Sequence, residues 1–89
     1  MKWYQLMKSS DLIQQKVKSA VLQILPNISL EDLSNSSNLF SLGLDSVNSM
    51  ELLIKLQDTF NIKFKRNEIN LENFQNITTI TKLIDEKQS

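Results

Sequence analysis

Eighty-nine residues with one glycine, one proline, no histidine and no cysteine suit one small domain and leave hairpins and sandwich corners little to build from, so an all-α chain is expected. Without cysteine there is no disulfide framework and no protein thiolate, and without histidine as well only hard oxygen ligands remain for a metal. Ten basic residues balance ten acidic ones, which argues against a nucleic-acid binder, whose first requirement is clustered positive charge.

Met1 to Lys8 reads as a lead-in to a helical bundle placed at residues 9–86 of a single domain, 1–89. Trp3, Leu6 and Met7 keep helical spacing and can extend the first helix, Tyr4 has no assigned role, and the apolar run is too short for a signal peptide. Ser9 and Ser10 are candidate caps, with Asp11 in the first turn. Ile13, Val17, Ala20, Val21 and Ile24 then share one helical face, while Lys16, Lys18 and Gln23 fall elsewhere. Pro26 closes this helix, because proline disfavours α geometry in the residue before it. A long connection follows, from Asn27 to Asp45. Its centre, residues 34–38, is too polar for a regular element, and loops of this length are uncommon in compact domains unless functional. Ser29 to Leu33 is expected to form one helical turn capped by Ser29. Leu33, Leu39, Phe40, Leu42 and Leu44 should pin the loop to the core.

The second helix is expected from Ser46 to Phe60. Leu52, Leu53, Leu56 and Phe60 fall within one arc of about 100°, a core stripe. Val47, Met50 and Ile54 fall in a separate arc of about 60°, bordered by Glu51 and Asp58. That second stripe is either buried under a neighbour or a docking surface. Ile62-Lys63-Phe64 is too short for a strand, and Lys63, Lys65 and Arg66 read as a solvated loop. Lys65 to Phe74 is expected to hold a short helix with Ile69, Leu71 and Phe74 pointing inward. The last helix begins near Ile77, uses Ile77, Ile80, Leu83 and Ile84, and is capped by Asn76 or Thr78. No stretch approaches the roughly twenty apolar residues of a membrane span, so a cytoplasmic location is expected.

Catalysis finds little support. A serine nucleophile needs a base, usually histidine, and the chain has none; it also lacks a Gly-x-Ser-x-Gly elbow. No segment fits a calcium loop, and one glycine makes no phosphate-binding loop. No catalytic residue and no metal ligand is assigned. Ser46 stands out by location, at a helix N-terminus where backbone N–H groups and the dipole favour an anion. Asp45 can cap the same helix by accepting from the N–H of Val47 or Asn48. Taken alone, either residue is an ordinary cap.

The run Leu42-Gly43-Leu44-Asp45-Ser46-Val47-Asn48-Ser49-Met50-Glu51-Leu52-Leu53 resembles the attachment site of the acyl/peptidyl carrier protein family. The resemblance covers nearly the whole chain: its length, one helical run before the motif and short ones after it. It implies a four-helix bundle with a long loop between the first two helices, and a monomer. It also implies that a phosphopantetheinyl transferase moves 4'-phosphopantetheine from coenzyme A onto Ser46. The arm then carries an acyl or aminoacyl thioester from an adenylating loading enzyme to downstream tailoring or condensing enzymes. Val47, Met50 and Ile54 would meet apolar patches on those partners, and Glu51 would steer encounter.

Two departures narrow the reading. Carriers of fatty-acid synthesis are typically strongly acidic, whereas the second helix here has only Glu51 and Asp58, offset by Lys55. Residues 70–77 look more like peptidyl-type carriers. The reading is therefore a stand-alone aminoacyl carrier of secondary metabolism, in the neighbourhood of the prolyl carriers. Its rival is a small helical interaction module without a prosthetic group, which explains the second stripe but has no need of a loop ending in Asp45-Ser46.

Overall fold

The computed structural model describes residues 9–88, so the expected helical extension through Trp3, Leu6 and Met7, and Tyr4 beside it, lie outside the described residues. Three α-helices form the fold: α1 (Ser9–Ile24), α2 (Asn48–Phe60) and α3 (Ile77–Gln88). Single 3₁₀ turns sit at Leu30–Asp32 and Arg66–Glu68, and no strand occurs among the described residues. α1 packs against both α2 and α3. None of these helices is long and apolar enough to cross a membrane.

The core follows the helical periodicities. Ile13, Val17, Ala20 and Val21 of α1, Leu52, Leu56 and Phe60 of α2, and Ile77, Ile80 and Ile84 of α3 are all buried in one cluster. Ser9 and Ser10 lie inside α1 rather than ahead of it. α2 stops at Asn61, whose left-handed backbone (φ 54°) is tolerated by asparagine better than by most residues. At the start of α3, Asn76 Oδ1 accepts from the Thr79 N–H at 2.8 Å while Thr79 Oγ1 lies 3.2 Å from the Asn76 N–H, a reciprocal cap. Thr78, the other candidate cap, instead donates its N–H and hydroxyl to the Asn35 carbonyl.

The long loop is held at several points. Leu33, Leu39 and Leu44 are buried, and Phe40 and Leu42 pack against them. The Leu39 N–H donates to the Gln75 carbonyl at 2.8 Å, which, with the Thr78–Asn35 pair, ties the loop to the start of α3. Ser29 precedes the expected helical turn, but its hydroxyl bonds the Asp32 carboxylate rather than a backbone N–H.

The expected fourth helix is absent. Between Lys65 and Phe74 there is only the turn Arg66–Glu68 and an irregular turn after it. Asparagine side chains explain this, since they satisfy the backbone outside a helical ladder. Asn70 Oδ1 accepts from the Asn73 N–H, Asn70 Nδ2 donates to the Asn67 carbonyl, and Asn73 Nδ2 donates to the Glu68 carbonyl. Phe74 does point inward, edge-to-face with buried Phe64 at a centroid distance of 5.4 Å. Ile69 and Leu71 do not; they are 47 % and 72 % exposed.

Candidate functional site

The site is the junction where the long loop becomes α2. Gly43 stands at φ +120°, a backbone that side-chain-bearing residues rarely adopt; an added Cβ would meet only Leu25 Cδ2, at 3.9 Å. The glycine is needed for conformation, not for space. Leu44 is buried, so the chain is anchored immediately before Asp45.

Asp45 Oδ1 accepts from the N–H groups of both Val47 and Asn48, each at 2.9 Å. Its carbonyl accepts from the Ser49 N–H at 2.9 Å, and Val47 is already in right-handed helical geometry. Helical hydrogen bonding therefore starts at Asp45, three residues before the regular span of α2, a difference common at helix ends. Asp45 is the cap and Ser46 the first helical residue. Asn48 closes the arrangement in the other direction. Its Oδ1 accepts from the Asp45 N–H at 2.6 Å, and its Nδ2 donates to the Gly43 carbonyl at 3.0 Å. The Asp45–Asn48 pair is a capping box with asparagine in the place usually held by Glu or Gln.

One expectation about electrostatics changes here. The N–H groups of Val47 and Asn48 are engaged by Asp45 rather than free for an added anion. A phosphodiester on Ser46 would share the helix end with a carboxylate. The dipole favours it, and Asp45 offsets part of that gain.

Ser46 itself is exposed. So are Val47 (71 %), Met50 (63 %) and Ile54 (56 %), which form an unburied stripe running away from Ser46 along α2. Glu51 and Asp58 are exposed beside it. Leu53, expected in the core, is half-buried: it packs on the core but also faces a hollow next to Ser46. That open hollow, of about 470 Å³, is lined by Phe40, Leu53 and Phe74 at its base. Met50, Ile69 and Leu71 stand on its apolar rim, and Asp45, Ser46, Ser49 and Asn70 supply its polar edge. An exposed hydroxyl beside a mostly apolar trough suits a long flexible arm attached to that hydroxyl. Among the described residues no cluster of acidic, histidine or cysteine side chains could hold a metal.

Sequence reasoning missed Asn48 as well as the position of Ile69 and Leu71. The Asp-x-x-Asn spacing was a usable signal for the first, since it matches a capping box with a shortened partner. Nothing in the spacing of Ile69 and Leu71 distinguishes an inward from an outward orientation.

Residues 15–85 match the family described as "Phosphopantetheine attachment site". D-alanyl carrier proteins of Streptococcus pyogenes, from serotype M5 (strain Manfredo) and serotype M1 among others, are 31 % identical over 75 residues, covering 81 % of this chain and 95 % of theirs. In fold, the chain is similar to one in the crystal structure of Bradyrhizobium japonicum glycine:[carrier protein] ligase complexed with glycylated carrier protein. The TM-score is 0.73 at 22 % identity, with 81 % of this chain and 97 % of that one covered.

Proposed function

The chain belongs to the phosphopantetheine attachment-site family, and from that membership we propose that Ser46 is the residue that bears the prosthetic group. Membership makes the protein an acyl or aminoacyl carrier with a covalent 4'-phosphopantetheine arm, and not an enzyme. The observation that carries the assignment to Ser46 is its exposure at the first helical position, directly after the Asp45 cap and at the edge of the apolar hollow. When attached, the arm supplies the thiol on which an acyl or aminoacyl group rides as a thioester, chemistry that this cysteine-free chain lacks.

The chain's own residues do the rest. Gly43, Asp45 and Asn48 hold the hydroxyl at the helix start. Phe40, Leu53 and Phe74 offer an apolar wall to the part of the arm nearest the protein. Val47, Met50 and Ile54 form the face on which a phosphopantetheinyl transferase, an adenylating loading enzyme and later tailoring or condensing enzymes dock, with Glu51 at its border. For cargo we favour a small amino acid over the prolyl group of secondary metabolism. The relatives are named for D-alanine, and the protein of similar fold is glycylated. A helical interaction module without a prosthetic group is not favoured.

Incubating the apo protein with coenzyme A and a promiscuous transferase, then weighing it intact, tests the assignment. Wild type is expected to gain one phosphopantetheine, and Ser46→Ala none, with helicity unchanged because the Asp45 cap stays in place. A mass gain that persists in Ser46→Ala would overturn it. Intact mass of the holo protein isolated from its host, compared before and after mild thioester cleavage, reads the cargo.

A further inference from the structure

We infer that Asn48 is a positioning residue for modification of Ser46, acting by locking the backbone on both sides of that serine. The inference rests on Ser46 being the attachment site. Four hydrogen bonds carry it. Asp45 Oδ1 reaches forward past Ser46 to the N–H groups of Val47 and Asn48. Asn48 reaches back past Ser46, accepting from the Asp45 N–H at 2.6 Å and donating to the Gly43 carbonyl at 3.0 Å. Ser46 is thus bracketed crosswise: the N–H of the residue before it is held by the Asn48 side chain, and the N–H of the residue after it by the Asp45 side chain.

The bracket matters because Ser46 makes the transition from loop to helix. Buried Leu44 anchors the loop before it, and buried Leu52 anchors α2 after it. Between these anchors lie the exposed residues 45–47, with no apolar packing of their own to settle the backbone. Asp45 alone caps the helix but says nothing about how the loop enters it. The amide of Asn48 supplies that second constraint, since it is the group that bonds Gly43, the residue whose left-handed backbone turns the chain. A hydroxyl that must attack a phosphoryl group in line gains from being held in one orientation, and a displacement near an ångström costs about a hundredfold in rate. Asn48 is half-buried and sits off the stripe formed by Val47, Met50 and Ile54, so its effect is separable from docking.

The test uses the apo protein with coenzyme A and one transferase, following mass gain over a range of carrier concentrations. Asn48→Ala removes both side-chain bonds and is expected to lower kcat on the order of tenfold, with KM little changed. Asn48→Gln keeps an acceptor and a donor, as in the common capping box, and should recover most of the rate. Asn48→Glu keeps the acceptor but cannot donate to Gly43, so it should fall between them in kcat. The Asp45 amide should exchange with solvent faster in Asn48→Ala than in Asn48→Gln, a readout independent of any enzyme. Thermal unfolding midpoints above the assay temperature keep the comparison on folded protein; if Asn48→Ala does not fold, the Glu and Gln pair decides. Wild-type kcat in Asn48→Ala, a loss confined to KM, or equal kcat in the Glu and Gln variants would overturn the inference. Ser46→Ala run in parallel separates the two claims: if it still gains mass, the attachment site is wrong. If it gains none while Asn48→Ala reacts at the wild-type rate, only the role of Asn48 is wrong.

Discussion

At Gly43 the backbone stands at φ +120°, and an added Cβ would make only an ordinary van der Waals contact with Leu25, so the cost of any other residue is conformational rather than steric. Gly43→Ala is expected to lower stability by about 1–3 kcal/mol. Urea titration should show this as a lower midpoint with an unchanged slope, because no core surface is lost. The Asp45 cap two residues later was legible in the sequence, since a cap is decided within three positions and an Asp ahead of an amphipathic run is a strong signal. Of the two Asn48 contacts, the Asp-x-x-Asn spacing signals the one to Asp45, as in a capping box, but not the one to Gly43. The wheel position of Asn48 says only that it lies off both apolar stripes, and its bond to Gly43 appears once the turn is built.

On α2 the two stripes have opposite fates: Leu52, Leu56 and Phe60 are buried, while Val47, Met50 and Ile54 stand in solvent. Phe60→Ala should therefore cost roughly 3–5 kcal/mol, and Met50→Ala about 0.5 kcal/mol or less. Equal losses in a denaturant titration would show that both stripes are core. The turn after α2 adds an electrostatic element. The Lys65 N–H, and after it the Lys87 ammonium at 2.8 Å, hold the Glu68 carboxyl below the ordinary glutamate range. A carboxylate with a lowered folded-state pKa contributes stability that is present above its unfolded value and lost as pH falls through the folded one. The stability gap between wild type and Glu68→Gln should thus be full at neutral pH and close on acidification; a gap that widens in acid would contradict it. The helical periods of α1, α2 and α3 were readable because each buries one face. The stretch from Lys65 to Phe74 was not, because the side chains of Asn70 and Asn73 compete for its backbone and two of its apolar residues serve the surface.

For the whole molecule, ten positive and ten negative charges cancel, so long-range steering of partners should be weak. Loading by the cognate enzyme should depend only shallowly on ionic strength, less than for a strongly acidic carrier. Glu51→Lys is expected to act mainly by slowing encounter, and Met50→Asp to weaken the complex more, by setting a charge in an apolar contact. Rates across a salt series check both: a steep slope with Met50→Asp harmless would mean that partners read another face. Packing and hydrogen bonding across the whole molecule make the long loop tolerable. Leu33, Leu39 and Leu44 are buried in the common core, and the Leu39–Gln75 and Asn35–Thr78 bonds fasten the loop to α3.

Short-range chemistry specifies three amphipathic helices, the loop anchors, the Asp45 cap and the placement of Ser46 at a helix start. Periodicity and capping act over a few residues, so they can be read without knowing what lies opposite. Packing of the folded chain is what brings Met50, Ile69 and Leu71 around one hollow beside Ser46, turns Leu53 toward it, and replaces the fourth helix with asparagine-bonded turns. Those outcomes depend on which surfaces remain uncovered after α1, α2 and α3 have packed. Burial is a property of the assembled chain, and the apolar residues left outside it are identified by what failed to cover them.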